Sequence, residues 1–114
     1  MLKILGINEL TFEEIKKTKD YLKVNTITGK IEGIFWLIIP DNILTNEQIT
    51  LLNTKGPFKI AIEVGKNNII FEILVRSESL DNSGGGLPTK EQYNFILNFY
   101  NKLVNYIEEK EGVK

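Results

Sequence analysis

The sequence contains neither cysteine nor histidine, and these two absences exclude several classes of protein chemistry. Without cysteine there is no disulfide framework, no thiolate nucleophile and no zinc-thiolate site. Without histidine there is no Ser-His-Asp or Cys-His pair, no imidazole base near neutral pH and no His-carboxylate metal site. Carboxylates, lysine, tyrosine and hydroxyl groups are what remains for catalysis, and we expect no cofactor.

Long apolar runs are also absent. The longest, Ile34 to Ile39, has six residues, whereas a membrane helix needs roughly 18. The leading segment MLKILGINEL is too short for a signal peptide and is interrupted by Gly6. We therefore expect a soluble, cytoplasmic protein that has no contact with a membrane.

The sequence has no surplus of positive charge. Fourteen Lys and Arg stand against fifteen Asp and Glu, a net charge of −1, and non-specific nucleic-acid binders need a phosphate-neutralising excess of cations. Arg76 is the only arginine, although bidentate contacts to phosphate and guanine favour that residue. Nucleic acid is therefore not an expected partner.

What the sequence does contain is a globular composition. Its 114 residues are 42% apolar and 25% charged, which predicts a single domain over residues 1–114 with a core of its own.

Three helix starts are marked by capping boxes, in which a Thr is followed three residues later by Glu or Gln. The boxes join Thr11 to Glu14, Thr45 to Gln48, and Thr89 to Gln92. They predict helices that end near Lys23, Asn53 and Lys110, and the first helix should bury Phe12, Ile15 and Leu22. The third helix carries an apolar stripe with helical spacing. The stripe consists of Tyr93, Ile96, Leu97, Tyr100, Leu103, Val104 and Ile107.

Strands are predicted between the helices. Lys30 to Ile39 has the composition of a strand, Phe58 to Val64 and Ile69 to Val75 form a hairpin, and Val24 to Thr28 adds a short strand. The fold class is therefore α+β, with an antiparallel sheet of three to four strands and three helices in the order α-β(β)-α-β-β-α. The long C-terminal helix should pack on the sheet.

The strand Lys30 to Ile39 is apolar on both of its faces, so both faces should be covered. Either helices lie on each side of it, or the face of Ile34, Trp36 and Ile38 meets another subunit. With Ala61, Ile70 and Leu74 added, that face forms an apolar patch of the kind that marks an interface. The patch is rimmed by Lys59, Glu63, Glu72 and Arg76.

The third helix offers a second candidate interface. Phe95, Phe99 and Tyr106 lie roughly 110° around the helix from its main stripe, at ~100° per residue. They indicate either a wide core-facing arc or a contact with a second subunit or another protein.

A metal site is the alternative hypothesis. If the hairpin turns through Asn67 and Asn68, Glu63 lies opposite Glu72, and two opposed carboxylates need a cation or proton between them. With Glu32 they would suggest a Mg²⁺-dependent hydrolase or nuclease. The same register places Lys59 opposite Arg76, so the charges along this face also fit simple alternation.

The glycine-rich segment Ser83 to Gly86 precedes the third helix. Such a turn can bind phosphate through backbone N–H groups, but neither the P-loop pattern nor Gly-x-Gly-x-x-Gly is present. We interpret Ser77 to Leu87 as a flexible surface loop.

From Leu51 to Ile107 the order of elements resembles the type III secretion chaperone-like scaffold. The likeness covers Leu51-Leu52-Asn53, the hairpin, the glycine-containing loop and the long last helix. That scaffold usually has three strands between its first two helices, where one or two are predicted here. The resemblance implies a small acidic α+β protein that dimerises and binds other polypeptides, by analogy of fold alone.

These patterns together favour a non-enzymatic module that forms homodimers and binds a protein partner. The candidate interface residues are Ile34, Trp36, Ile38, Ile70, Leu74, Phe95, Phe99 and Tyr106, and the carboxylates of the alternative metal site are Glu32, Glu63 and Glu72.

Overall fold

The computed structural model describes residues 3–112, and for residues 109–112 the backbone only. Five strands form one antiparallel sheet in the order β1-β5-β4-β3-β2. The strands are β1 Ile4–Ile7, β2 Ile27–Thr28, β3 Ile34–Ile38, β4 Lys59–Val64 and β5 Ile69–Glu72. The helices are α1 Phe12–Asn25, α2 Asn46–Lys55 and α3 Lys90–Gly112, with a 3₁₀ turn at Asp41–Ile43. The α+β class and the long C-terminal helix are confirmed.

The sheet has one strand more than the three to four predicted. The additional strand, β1, lies at the sheet edge and pairs with β5, with Ile4 opposite Glu72 and Ile7 opposite Ile69. Its four residues include Gly6, which has a low strand propensity and no side chain to pack. This segment becomes a strand because β5 offers it an unpaired edge, which local sequence does not show.

All three predicted capping boxes are present. The Thr hydroxyl accepts a hydrogen bond from the third helical residue, and that residue's side chain accepts one from the Thr backbone N–H. Both α1 and α2 end two residues later than predicted. Within residues 3–112, no helix combines the length and the apolar character needed to cross a membrane.

The helices pack on one face of the sheet, which we call the inner face. Its side chains share one core with buried residues of α1 and α3 and with half-buried residues of α2. Phe71 lies at the centre, with its ring centroid 5.4 Å from that of Tyr100 and 6.3 Å from that of Phe99. The fold thus has two layers, helices on sheet.

One predicted core residue is not in this core. Phe12 is 78% exposed, whereas Ile15 and Leu22 are buried as predicted. Phe12 stands in the first turn of α1, about 80° around the helix axis from Leu22 at ~100° per residue. It therefore lies beyond the stripe that faces the sheet.

The strand predicted from Lys30 begins instead at Ile34. Residues 30–33 form the loop of the β2–β3 hairpin, which the hydrogen bond from Gly29 N–H to the Ile34 carbonyl closes. Gly33 has a φ of +87° in this loop, and a Cβ atom there would lie 2.9 Å from the Val64 carbonyl oxygen. A φ of this sign lies outside the extended region of a strand, so the regular strand begins after Gly33, which adopts it without the strain that a side chain would add.

The segment Ser77 to Leu87, predicted to be a flexible surface loop, is held by hydrogen bonds from its own side chains and from Gln48 of α2. The Asn82 Oδ1 accepts from Ser77 N–H, and the Gly84 carbonyl accepts from the Gln48 side chain. At Asp81 the carboxylate accepts hydrogen bonds from the hydroxyls of Ser79 and Ser83 and from the Ser83 N–H. These bonds lower the pKa of Asp81 to about 2, the Ser79 hydroxyl contributing most.

We expect the Asp81 carboxyl to titrate near pH 2 in the folded protein, as followed by NMR of its carboxyl carbon. Because the folded pKa lies below the ordinary value of 3.8, the stabilisation is present above that value and is lost as the pH falls towards 2. Replacing both Ser79 and Ser83 by alanine should move the midpoint up towards 3.8. An unshifted midpoint in the wild-type protein would contradict this loop structure.

Candidate binding surface

The side of the sheet opposite the helices, which we call the outer face, is uncovered within residues 3–112. Strand alternation directs one set of side chains to the inner core and the other set to this side. The outer-face residues are Ile34, Trp36 and Ile38 of β3, Lys59, Ala61 and Glu63 of β4, Ile70 and Glu72 of β5, and Leu74 and Arg76 beyond it. The apolar members are half-buried and lie outside the core cluster. The prediction that helices cover both faces of the strand containing Trp36 is therefore wrong for the described residues.

The centre of the outer face is an apolar depression of about 460 Å³. Trp36 on β3 is paired with Ala61 on the neighbouring strand β4, and Ile34 and Ile70 lie beside them on the same face. Two residues outside the predicted patch line the sides of the depression: Ile4 on β1, 62% exposed, and Ile31 in the β2–β3 loop, 73% exposed. The apolar surface is therefore wider than the sequence predicted.

Lys59 lies beside the tryptophan ring. Its Nζ is 4.5 Å from the Trp36 ring centroid and forms an ion pair with Glu78. The Lys59 side chain is only 15% exposed, and its charged end is held by both the ring and the Glu78 carboxylate. Lys59 thus contacts the Trp36 ring as well as forming part of the rim.

A second ion pair lies on the same surface. Arg76 Nε and Nη2 donate to the two carboxylate oxygens of Glu72 at 3.0 and 3.2 Å, a bidentate pair. The hydrogen bond to Glu72 raises the pKa of Arg76 above its ordinary value. Both side chains are about 40% exposed, so the pair fixes geometry and adds little stability.

The predicted opposition of Glu63 and Glu72 does not occur. Glu63 lies opposite Ile70 on β5 and opposite Ile34 on β3. The hairpin turns through Lys66 and Asn67, closed by the hydrogen bond from Gly65 N–H to the Asn68 carbonyl, not through Asn67 and Asn68. Near the turn, each residue of β4 is therefore paired two positions away from its predicted partner on β5.

The predicted opposition of Lys59 and Arg76 is confirmed at the far end of the same hairpin. Between these two ends the second strand has two residues more than β4. They form a bulge at Ile73 and Leu74, where Leu74 N–H bonds to the Glu72 carbonyl. The side chains still alternate between the two faces through this bulge.

The carboxylates proposed for a metal site are not brought together. Glu72 is held by Arg76, and Glu32 lies in the loop before β3. Within the described part of the chain, no group of three or more Asp or Glu could hold a metal ion. The pairing on which the hydrolase hypothesis rested is therefore not formed.

The helical aromatic candidates make contacts inside the chain. Tyr21 of α1 has its ring centroid 5.9 Å from that of Phe99 and 4.9 Å from that of Tyr106. Phe95 is half-buried against the core and, with Phe99, lines a depression of about 430 Å³ between α1, α3 and the edge of β3. These side chains join α1 to α3 and lie on the opposite side of the sheet from Trp36.

Comparison of the chain with models of protein families, with curated proteins and with solved structures gives no match. The function therefore has to be inferred from the residues of the outer face.

Proposed function

We propose that the protein is a non-enzymatic interaction module that forms homodimers through the outer face of its sheet. The observation that carries this proposal is Trp36, the only tryptophan of the chain, placed among aliphatic side chains on a sheet face without a covering helix in the described residues. Dimerisation and binding of a protein partner are also what the resemblance to the type III secretion chaperone-like scaffold implies.

The composition of the outer face supports the proposal. Interface centres are enriched in tryptophan and aliphatic residues, with charged groups at the rim. Here Lys59 and Arg76 are each already paired with a carboxylate of the same chain, so neither cation loses its counter-charge when the face is covered. The face is close to 20 Å in each direction, as estimated from ~4.8 Å between strands and ~3.3 Å per residue. Such a face buries roughly 800 Å² in total over the two copies, which is less than the ~1,200–2,000 Å² of a standard specific interface, so we expect a weak dimer that dissociates on dilution.

The test is the assembly state of wild-type and Trp36→Glu protein by light scattering over a range of concentrations. We expect the wild type to dimerise, with the Trp36 emission moving to longer wavelength on dilution as the ring becomes exposed. Trp36→Glu should be a monomer with an unchanged circular dichroism spectrum, because a carboxylate at the centre of the interface would be buried without a partner.

Ile49→Glu provides the matched control. Ile49 is 53% exposed on α2, on the helical side of the molecule, so this variant should dimerise like the wild type. Ile70→Lys, on β5 beside the depression, is the second outer-face variant in case Trp36→Glu does not fold. A wild type that is monomeric at every concentration would overturn the proposal, as would a dimer that both outer-face variants preserve.

A further inference from the structure

Charge is distributed unevenly along the outer face. The two cations, Lys59 and Arg76, lie opposite one another where β4 begins, whereas Glu63 lies at the other end of β4, beside Ile34 and Ile70. Between them stands Ala61. Along β4 the outer-face side chains thus run from cation through a small apolar residue to carboxylate.

Glu63 differs from the other charged groups of this face. Lys59 bonds Glu78 and Arg76 bonds Glu72, but no ion pair or side-chain hydrogen bond joins Glu63 to another described residue. It is exposed next to the apolar depression that it helps to line. A partner that covers this depression must supply a cation to Glu63, because an unpaired carboxylate is costly to remove from water.

A second copy of the chain can supply that cation in only one of two simple arrangements. A two-fold axis parallel to the strands would place Glu63 against Glu63 and Lys59 against Lys59. An axis in the interface but perpendicular to the strands, crossing β4 near Ala61, reverses the second copy and places each Glu63 against the other copy's Lys59. Like-charge contacts in an interface are unfavourable, and opposite charges fix the orientation.

We propose that the outer face binds a second copy in this antiparallel orientation, with Ala61 at the two-fold axis and Glu63 of each chain paired with Lys59 of the other. An ammonium group has three N–H donors, so Lys59 can hold its own Glu78 and the second chain's Glu63 together. The pair forms twice, once on each side of the axis, with Trp36 between. This inference rests on the proposed function, because it assigns the partner and its orientation at the same surface.

The test is a charge-reversal exchange measured by analytical ultracentrifugation. Glu63→Lys alone places two lysines together, and Lys59→Glu alone places two glutamates together, so the Kd of each homodimer should rise by about tenfold or more. In an equimolar mixture of the two variants both cross-interface pairs are opposite in charge, so heterodimers should form with a Kd near that of the wild type. The double variant Lys59→Glu/Glu63→Lys should likewise recover homodimerisation. Glu13→Lys on the exposed side of α1 is the control for net charge.

The outcomes separate this inference from the proposed function. Heterodimer recovery in the mixture supports the antiparallel arrangement. If Trp36→Glu abolishes the dimer but the charge variants behave like Glu13→Lys, the outer face is the interface and the orientation is wrong. If the two single variants weaken the dimer and their mixture does not recover it, the orientation is again wrong. If the wild type is monomeric, the proposed function and the inference fail together.

Discussion

Replacing Gln92 by leucine should lower the free energy of unfolding by about 2–4 kcal/mol, as measured by urea denaturation. Gln92 is fully buried, and its Nε2 donates two hydrogen bonds of 2.9 Å, to the Ile43 carbonyl and to Gln48 Oε1. Leucine removes both bonds and leaves the carbonyl of half-buried Ile43 and the Gln48 Oε1 without this donor. The loss should be large because a buried polar group without a partner keeps the full cost of its desolvation.

The position of Gln92 explains why so much depends on it. Gln92 and Gln48 are both third residues of capping boxes, so each side-chain oxygen already accepts from its own N-cap backbone. The amide nitrogens remain to join the two helix starts, with Gln48 Nε2 donating to the Gly84 carbonyl at 2.8 Å. One side-chain pair thus connects α2, α3, the 3₁₀ turn and the loop before α3.

Glu14→Leu is the matched control for Gln92→Leu. Glu14 holds the same third position in the capping box of α1, but its box is exposed, and its bonds to Thr11 and Thr18 stay within α1 and its N-cap. Losing that box should cost only about 0.5–1 kcal/mol. Equal losses in the two variants would contradict a cross-helix role for Gln92.

The variant Gln92→Glu tests the bonds of the amide nitrogen with a side chain of nearly the same shape. Its carboxylate would face the Ile43 carbonyl and Gln48 Oε1, both of them acceptors, so the folded state should raise the pKa of the new carboxyl. Stability would then be highest below the unfolded pKa and would fall as the pH rises through the folded pKa. A pH-independent difference from the wild type would show that the amide nitrogen does not bond these oxygens.

The second large effect is expected at Phe71, where alanine should cost about 3–5 kcal/mol in urea denaturation. Phe71 is fully buried on β5 and contacts the rings of Phe99 and Tyr100 on α3. Removing its ring leaves a cavity between the sheet and the C-terminal helix that neither rigid layer can close. Both the transfer free energy and the lost aromatic contacts add to the cost.

Phe12→Ala is the control for Phe71→Ala. The residue type is the same, but Phe12 is 78% exposed, and a surface change of this kind should stay within ~0.5 kcal/mol. The sequence alone predicts burial of Phe12 from its helical spacing. A large loss in Phe12→Ala would favour that prediction over the exposed position.

Local patterns determined where the helices begin. Each Thr and its Glu or Gln partner form hydrogen bonds three residues apart, so the chemistry lies entirely within one short segment. The alternation of apolar residues likewise assigned the side chains of β4 and β5 to their correct faces, because the two-residue period does not depend on what a strand pairs with. The alternation could not distinguish a hairpin turn at Lys66-Asn67 from one at Asn67-Asn68. A register shift of two residues leaves every side chain on the same face.

The absence of cysteine and histidine, the three capping boxes and the doubly apolar strand are properties that the sequence determined by itself. Tertiary structure alone decided that β1 joins the edge of β5, that Glu63 faces Ile70, and that the helices all pack on one side. These outcomes depend on contacts between segments that are far apart in the chain. The pattern of residues within one segment does not show which distant segment stabilises it. The same contacts leave Trp36 on the uncovered face, and so they decide between the two coverings that the sequence left open for its strand.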